Sequence, residues 1–350
     1  MHTMHINKRR ALFISLFITL LSLCVATTAQ AFEAFQPLPE QPPIPADNRM
    51  SAAKAALGQQ LFFDPRLSKT KTLSCNSCHN VMAGGTNGLA TSVGASGKSG
   101  TRSAPTLWNA GFHTILFRDG RALSLEQAIT EHLTSPTEMA MDDGAEAEQR
   151  IAASAGYRRV FEQVFGGDGA LNSINISKAL ATYIRTLNTP NGPFDRYLNG
   201  DSSAISDTAV RGFERFIETG CASCHFWVNL AGPVPGLAFQ MGEGFYELFP
   251  NYVGSRYDEL YQLTKDIGRY LVTGVETDRR MWRVPTLRNV ALTAPYFHNG
   301  RVKTLDEAVR VMAKVELGKE LTQPQVDELV AFLQTLTGEF PLQTMPRLPQ

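Results

Sequence analysis

Two short segments constrain this 350-residue chain more than anything else in it. They read Cys75-Asn76-Ser77-Cys78-His79 and Cys221-Ala222-Ser223-Cys224-His225. Cys-x-x-Cys-His is the attachment signature of a c-type haem. Two thiols one helical turn apart can meet the two vinyl groups of one porphyrin. The adjacent histidine then lies under the iron as its proximal ligand. A redox dithiol needs no histidine at that place, and a four-cysteine zinc site would have to join pairs 146 residues apart. The motifs predict two covalent haem c groups, held by Cys75, Cys78, Cys221 and Cys224, with His79 and His225 as proximal ligands.

The fifth cysteine, Cys24, falls in a leader. Lys8, Arg9 and Arg10 precede an apolar stretch from Ala11 to Val25, and Ala29-Gln30-Ala31 carries a small-x-small cleavage pattern. Residues 1–31 read as a secretory signal peptide. The alternative is an uncleaved anchor, for which the run is short of the about 20 apolar residues that a span needs. Leu23 is a poor neighbour for a lipidated cysteine, so a lipoprotein signal is disfavoured. Export to the periplasm is the expectation. The sequence has 33 basic and 33 acidic side chains, and the leader removes three of the basic ones. The resulting mild acidity, with no long basic run, argues against a nucleic-acid partner.

The chain repeats itself. Residues 105–129 (PTLWNAGFHTILFRDGRALSLEQAI) align without a gap on residues 285–309 (PTLRNVALTAPYFHNGRVKTLDEAV), at an offset of 180. The haem motifs are offset by 146, so the second unit carries about 34 extra residues, placed between Trp227 and Tyr257. The expected organisation is two cytochrome c-like haem domains related by internal duplication, residues 46–195 and 196–345. The fold class is all-α. Apolar residues fall at helical spacing over Ala55 to Phe63, Ile151 to Phe165, Ile176 to Leu187, Ala209 to Ile217 and Pro324 to Leu336. Ser124 and Thr304 stand at helix-cap positions. No segment shows sustained strand alternation. Asn188 to Ser206, rich in Asn, Gly, Pro, Asp and Ser, reads as the linker, and Pro37 to Pro45 as an extended lead.

The far side of each iron separates a carrier from an enzyme. Two strong protein ligands make an electron-transfer haem; an open or weakly held face can bind peroxide. Met241, Met281 and Met312 are candidates for the second iron, and Met312 follows the repeat directly. An offset of 180 from Met312 lands on His132, with Glu138-Met139 close behind. A histidine and a carboxylate beside an iron suit proton transfer during O–O cleavage. His113, set among apolar residues, reads as structural.

These residues also carry a family resemblance. The chain resembles the bacterial dihaem cytochrome c peroxidases and the wider group that contains MauG. The resemblance rests on both haem motifs, Ser92-Val93-Gly94, Arg102-Ser103-Ala104-Pro105-Thr106, Asp119-Gly120-Arg121-Ala122, Glu138-Met139, Val284 to Asn289, Ala294 to Gly300, Val315 to Gly318 and the Gly338-Glu339-Phe340-Pro341 ending. It implies that the N-terminal haem reacts with hydrogen peroxide while the C-terminal haem accepts electrons from a small cytochrome c or cupredoxin. It matches Met312 to the peroxidases' methionine ligand, where MauG has tyrosine, and Glu138 to the catalytic glutamate. It implies a calcium ion between the domains, with Thr293 and Pro295 at carbonyl-ligand positions and Ser103 in place of the usual asparagine. It also implies a homodimer.

Four positions depart from the family. Ala95 replaces the histidine that in many members follows Ser-Val-Gly and caps the resting N-terminal haem. Arg118 replaces the tryptophan before Asp-Gly-Arg. Ala128 stands at the distal glutamine, beside Gln127, and His132 stands at the pocket proline. The chain is expected to reduce hydrogen peroxide, with MauG-like oxidation of a protein side chain and a non-enzymatic dihaem carrier as rivals. The first iron is expected to be open, with His132 acting beside Glu138. The alternative is that His132 itself binds the iron.

Overall fold

The computed structural model describes residues 34–232 and 245–350. The expected signal peptide, Cys24 and Met241 lie outside them. In the first unit, α1 (Ala52–Phe62) leads to a single turn, α2 (Cys75–Cys78), and then to α3 (Leu125–Thr134), α4 (Gly144–Ala152), α5 (Ala155–Phe165) and α6 (Ser173–Ile184). Side-chain caps set these starts: Ser51, Ser124, Asp143, Ser154 and Asn172 each accept from a backbone N–H three residues on. Ser154 corrects the expected continuous helix over Ile151 to Phe165. Its side chain caps α5, so α4 ends at Ala152 and the chain turns between the two.

The second unit holds α7 (Pro193–Leu198), α8 (Asp207–Thr219), α9 (Arg256–Tyr261), α10 (Tyr270–Thr273), α11 (Leu305–Leu317) and α12 (Gln323–Gln334). Helix α7 lies inside the segment read as a linker. Phe194 on α7 is fully buried against Phe213 and Phe332, so Asn188 to Ser206 is anchored rather than free. The sequence did not announce an antiparallel pair: β1 (Tyr246–Leu248), inside the insertion, pairs with β2 (Met281–Arg283), just ahead of the repeated segment, with Glu247 opposite Trp282. The fold is helix-rich with this one small sheet among the described residues.

Each unit is built on one helix crossing. Where α1 meets α6, a Cβ on Gly58 would lie 2.0 Å from the Ala179 carbonyl oxygen. Where α8 meets α12, a Cβ on Gly212 would lie 1.9 Å from the Glu328 carbonyl oxygen. Only glycine allows these backbones to approach so closely. Leu57, Leu61, Phe62 and Ala179 fill the first core; Phe213, Phe216, Leu329 and Phe332 fill the second. The repeated segments fold alike: Leu116 pairs with Ala122 and Tyr296 with Val302 as isolated bridges, ahead of α3 and α11.

The termini tie the halves together. Phe35 packs in the second core, while the C-terminal segment returns to the first unit. There Phe340 meets Trp108 edge-on, the Tyr183 hydroxyl donates to Gln343, and the Gly156 N–H donates to the Gln350 carbonyl. Between the units, Thr189 Oγ accepts from the side-chain amides of both Asn109 and Asn289, at 2.9 Å each.

Candidate dihaem active site

Helix α2 brings Cys75 and Cys78 onto one turn, with His79 as its C-cap. None of the four motif cysteines is tied up in a disulfide, so all four sulfurs are available for thioether bonds. His79 Nδ1 donates to the Pro105 carbonyl at 3.0 Å, and His225 Nδ1 donates to the Leu230 carbonyl at 2.9 Å. Fixing Nδ1–H in this way selects the tautomer that presents a bare Nε2 to a metal. Burial also pushes both histidines down to about 4, so both rings are neutral. The donor sets therefore fit two c-type haems.

The far side of the first site is assembled from α3 and the turn after it. His132 lies in the last turn of α3, with its ring centre 5.9 Å from that of His79 and 4.8 Å from that of Phe117. His132 Nδ1 and Glu138 Oε2 are 2.5 Å apart. Burial works against the Glu138 carboxylate, but the His132 hydrogen bond and the nearby cations outweigh it and hold the group below its ordinary range. The Ser92-Val93-Gly94-Ala95 loop is stapled to this turn, because the Ala95 N–H donates to the Glu138 carbonyl at 2.6 Å. Ala128 is buried, and Gln127 turns outward to Glu131. Arg121 bonds Asp119 and Glu131 and covers the Phe117 ring.

The second site opens on a cavity bordered by Cys221, His225, Leu287, Leu305, Met312 and Leu333. Met312, on α11, shares this cavity with His225. Met281 lies in β2 and does not border it. His113, Arg118, Arg283, Thr293 and Pro295 line the same cavity toward the first unit.

This boundary corrects the calcium expectation. Ser103 Oγ, the would-be ligand, accepts from Arg118 Nη2 at 2.6 Å and donates to the Phe297 carbonyl at 3.1 Å; the Ser103 carbonyl accepts from Arg118 Nε. A guanidinium so close to the would-be ligand repels a divalent cation. With Ser103 engaged in this way, the set of Ser103, Thr293 and Pro295 does not fit calcium. The Arg118 guanidinium, at the position that the resemblance gives to tryptophan, is thus committed to Ser103 of its own unit, while the Arg118 carbonyl accepts from the Arg283 N–H of β2. Trp108 does not stand in for that tryptophan; it is buried in the first core against Phe340.

Sequence reasoning missed two further groups. Arg283 Nη1 approaches the His113 ring at 2.8 Å and its Nε donates to the Phe117 carbonyl, so His113 belongs to the junction as well as to the core. Arg288 and Asp195 form a buried ion pair at 2.6 Å. The repeat contained a signal for the second, because Arg288 aligns with Trp108 and breaks an apolar position with a charge.

Comparison with known proteins gives the family. A family model described as Di-haem cytochrome c peroxidase matches residues 52–203. Cytochrome c551 peroxidase of Nitrosomonas europaea is 38% identical, over 96% of this chain and 95% of that protein. Cytochrome c551 peroxidase of Pseudomonas aeruginosa is 37% identical, over 95% and 92%. Among solved structures, a MauG-like protein associated with microbial copper homeostasis superposes with a TM-score of 0.76 at 30% identity, covering 86% of this chain and 94% of that one. The haem motifs, the fold and a likeness that runs through nearly the whole sequence place the chain in the dihaem cytochrome c peroxidase family.

Proposed function

We propose that this chain reduces hydrogen peroxide to water in the periplasm, with two electrons and two protons consumed per peroxide. The electrons would come from a small exported cytochrome c or cupredoxin. Cys75 and Cys78 hold the first haem and Cys221 and Cys224 the second, with His79, His225 and Met312 as ligands. When bound, the haem irons supply the redox chemistry and the site at which peroxide binds.

The observation that carries this reading is the short His132–Glu138 contact beside His79. Glu138 Oε2 and His132 Nδ1 share one proton. A carboxylate kept ionised can take a proton from hydrogen peroxide, and its imidazole partner can hold it or return it to the oxygen that leaves as water. Phe117, packed on the His132 ring, gives this contact an apolar neighbour, which strengthens these proton-holding interactions. On the donor side, His225 and Met312 border one cavity and would hold the second haem, which would accept the donor's electrons.

Met312 also weighs against MauG-like oxidation of a protein side chain, since that group has tyrosine there. The duplication of the two units and a homodimeric assembly belong to this proposal. Calcium does not.

Steady-state peroxide reduction with a reduced small cytochrome c as donor tests the proposal. Glu138→Gln should keep both haems and lose about 100-fold or more in turnover, the range expected for a general acid–base group. A loss under threefold with haem content intact would remove Glu138 from the chemistry.

A further inference from the structure

We propose that His132 is the sixth ligand of the resting first iron, opposite His79, and that it must leave before peroxide can bind. This rests on the haem site assigned above and reverses the expectation of an open iron.

The spacing of the two rings decides it. An imidazole ring centre lies about 3 Å from an iron that it ligates, given a metal–nitrogen bond of about 2 Å, so two imidazoles on one iron stand about 6 Å apart. The ring centres of His79 and His132 are 5.9 Å apart, with their planes at 80°. A histidine acting on peroxide from across the pocket would need about 3 Å more, because the oxygen atoms must fit between ring and iron. The observed separation has room for an iron and none for an oxidant.

The free nitrogen of each ring agrees. His79 Nδ1 is committed to the Pro105 carbonyl and His132 Nδ1 to Glu138 Oε2. Each ring is left with Nε2 as its available donor atom. A carboxylate behind a ligating histidine is a recurrent metal-site arrangement that fixes the ring and raises its basicity.

His132 is also braced against withdrawal. Phe117 packs on the ring at 4.8 Å, and the Arg121 guanidinium lies over the Phe117 ring at 3.4 Å. The Met139 N–H donates back to the His132 carbonyl, and the Ala95 N–H ties the neighbouring loop to Glu138. Ala95 has no side-chain donor atom, so in this chain α3 supplies the ligand that the loop cannot.

Low-temperature electron paramagnetic resonance of the fully oxidised dihaem protein tests this. The expected result is two low-spin ferric haems and no high-spin signal, the first of the strongly anisotropic type that crossed imidazole planes produce. His132→Ala should convert one haem to high-spin, and added imidazole should restore it. A high-spin first haem in the native protein, or a low-spin signal unchanged in His132→Ala, would overturn the assignment.

Cyanide binding to the native ferric protein needs no variant. A departing ligand makes the rate level off as cyanide is raised; an open iron gives a rate linear in cyanide, which would also overturn the proposal. Peroxidase turnover, assayed separately, distinguishes the two readings. Low-spin haems without turnover would sink the peroxidase assignment alone, and turnover with a resting high-spin haem would sink this one alone.

Discussion

The ion pair between Asp195 and Arg288 carries the largest single stability prediction. Both side chains are almost fully buried, at 2% and 1% exposure, and their charged atoms are 2.6 Å apart. Asp195 Oδ1 also accepts from the Leu38 N–H, and Oδ2 from the Gly192 N–H. Arg288 donates in addition to the carbonyls of Val228 and Gln36. One pair therefore joins the N-terminal segment, the start of α7 and the loop that carries Leu230, the partner of His225. Asp195→Asn removes the negative charge and leaves the guanidinium buried without a counter-ion. Breaking one partner of a buried pair costs about 3–5 kcal/mol. Urea denaturation of the holoprotein, followed by far-ultraviolet circular dichroism, should show that loss as a lower midpoint at an unchanged slope. The double variant Asp195→Leu/Arg288→Met removes both charges and should be less destabilised than the sum of the two single variants. A cost below about 1 kcal/mol for Asp195→Asn would refute the reasoning, because only a solvated pair is worth so little.

Three other outcomes are expected. Met312→His should retain both haems and lower the potential of the second one in a redox titration, since thioether ligation favours the reduced iron; an unchanged potential would assign the ligand elsewhere. Gly58→Ala and Gly212→Ala should each destabilise the chain by about 1–3 kcal/mol, because the added methyl meets a backbone carbonyl at 2.0 and 1.9 Å and cannot be relieved by a rotamer change; a gain of about 1 kcal/mol, the helix propensity of alanine over glycine, would show that the helices separate freely. Burial pushes the Glu316 carboxyl up to about 8, so its folded-state proton affinity exceeds that of the unfolded chain. Its contribution to stability is fully present below the ordinary carboxylate range and is lost as pH rises toward 8. Melting curves across that window should fall for the native chain and stay flatter for Glu316→Gln, and parallel curves would contradict the shift.

Much of the fold could be read from local chemistry. The serine, aspartate and asparagine caps mark five helix starts within the residues that form them, so periodicity and capping together found most of the first unit. The same logic failed at Ala153 and Ser154, where the apolar spacing continues across a break that only the Ser154–Tyr157 cap reveals. It failed again at α7, whose Gly, Pro and Asn surroundings resemble a linker. There Phe194 finds its partners on α8 and α12, far away in sequence. The β1–β2 pair is three residues a side, too short for alternation to register.

The site was legible for a different reason. Both units use the same bridge, turn and helix, so an offset of 180 carries position as well as resemblance, and Met312 on α11 points to His132 on α3. What the offset could not carry is distance. Ser103 aligns with Arg283 and says nothing of Arg118, whose guanidinium reaches it through space and excludes the calcium that family likeness suggested. The 5.9 Å between His79 and His132 belongs to the same class of fact. The consequence is mechanical. A ligand on a loop can leave when the loop moves, at little cost to the core. A ligand in the last turn of α3, beside buried Leu133 and braced by Phe117, can leave only by side-chain rotation or by displacing that turn. Opening of this first site is therefore a local event at His132 and Glu138, and the carboxylate that holds the imidazole is the group that controls it.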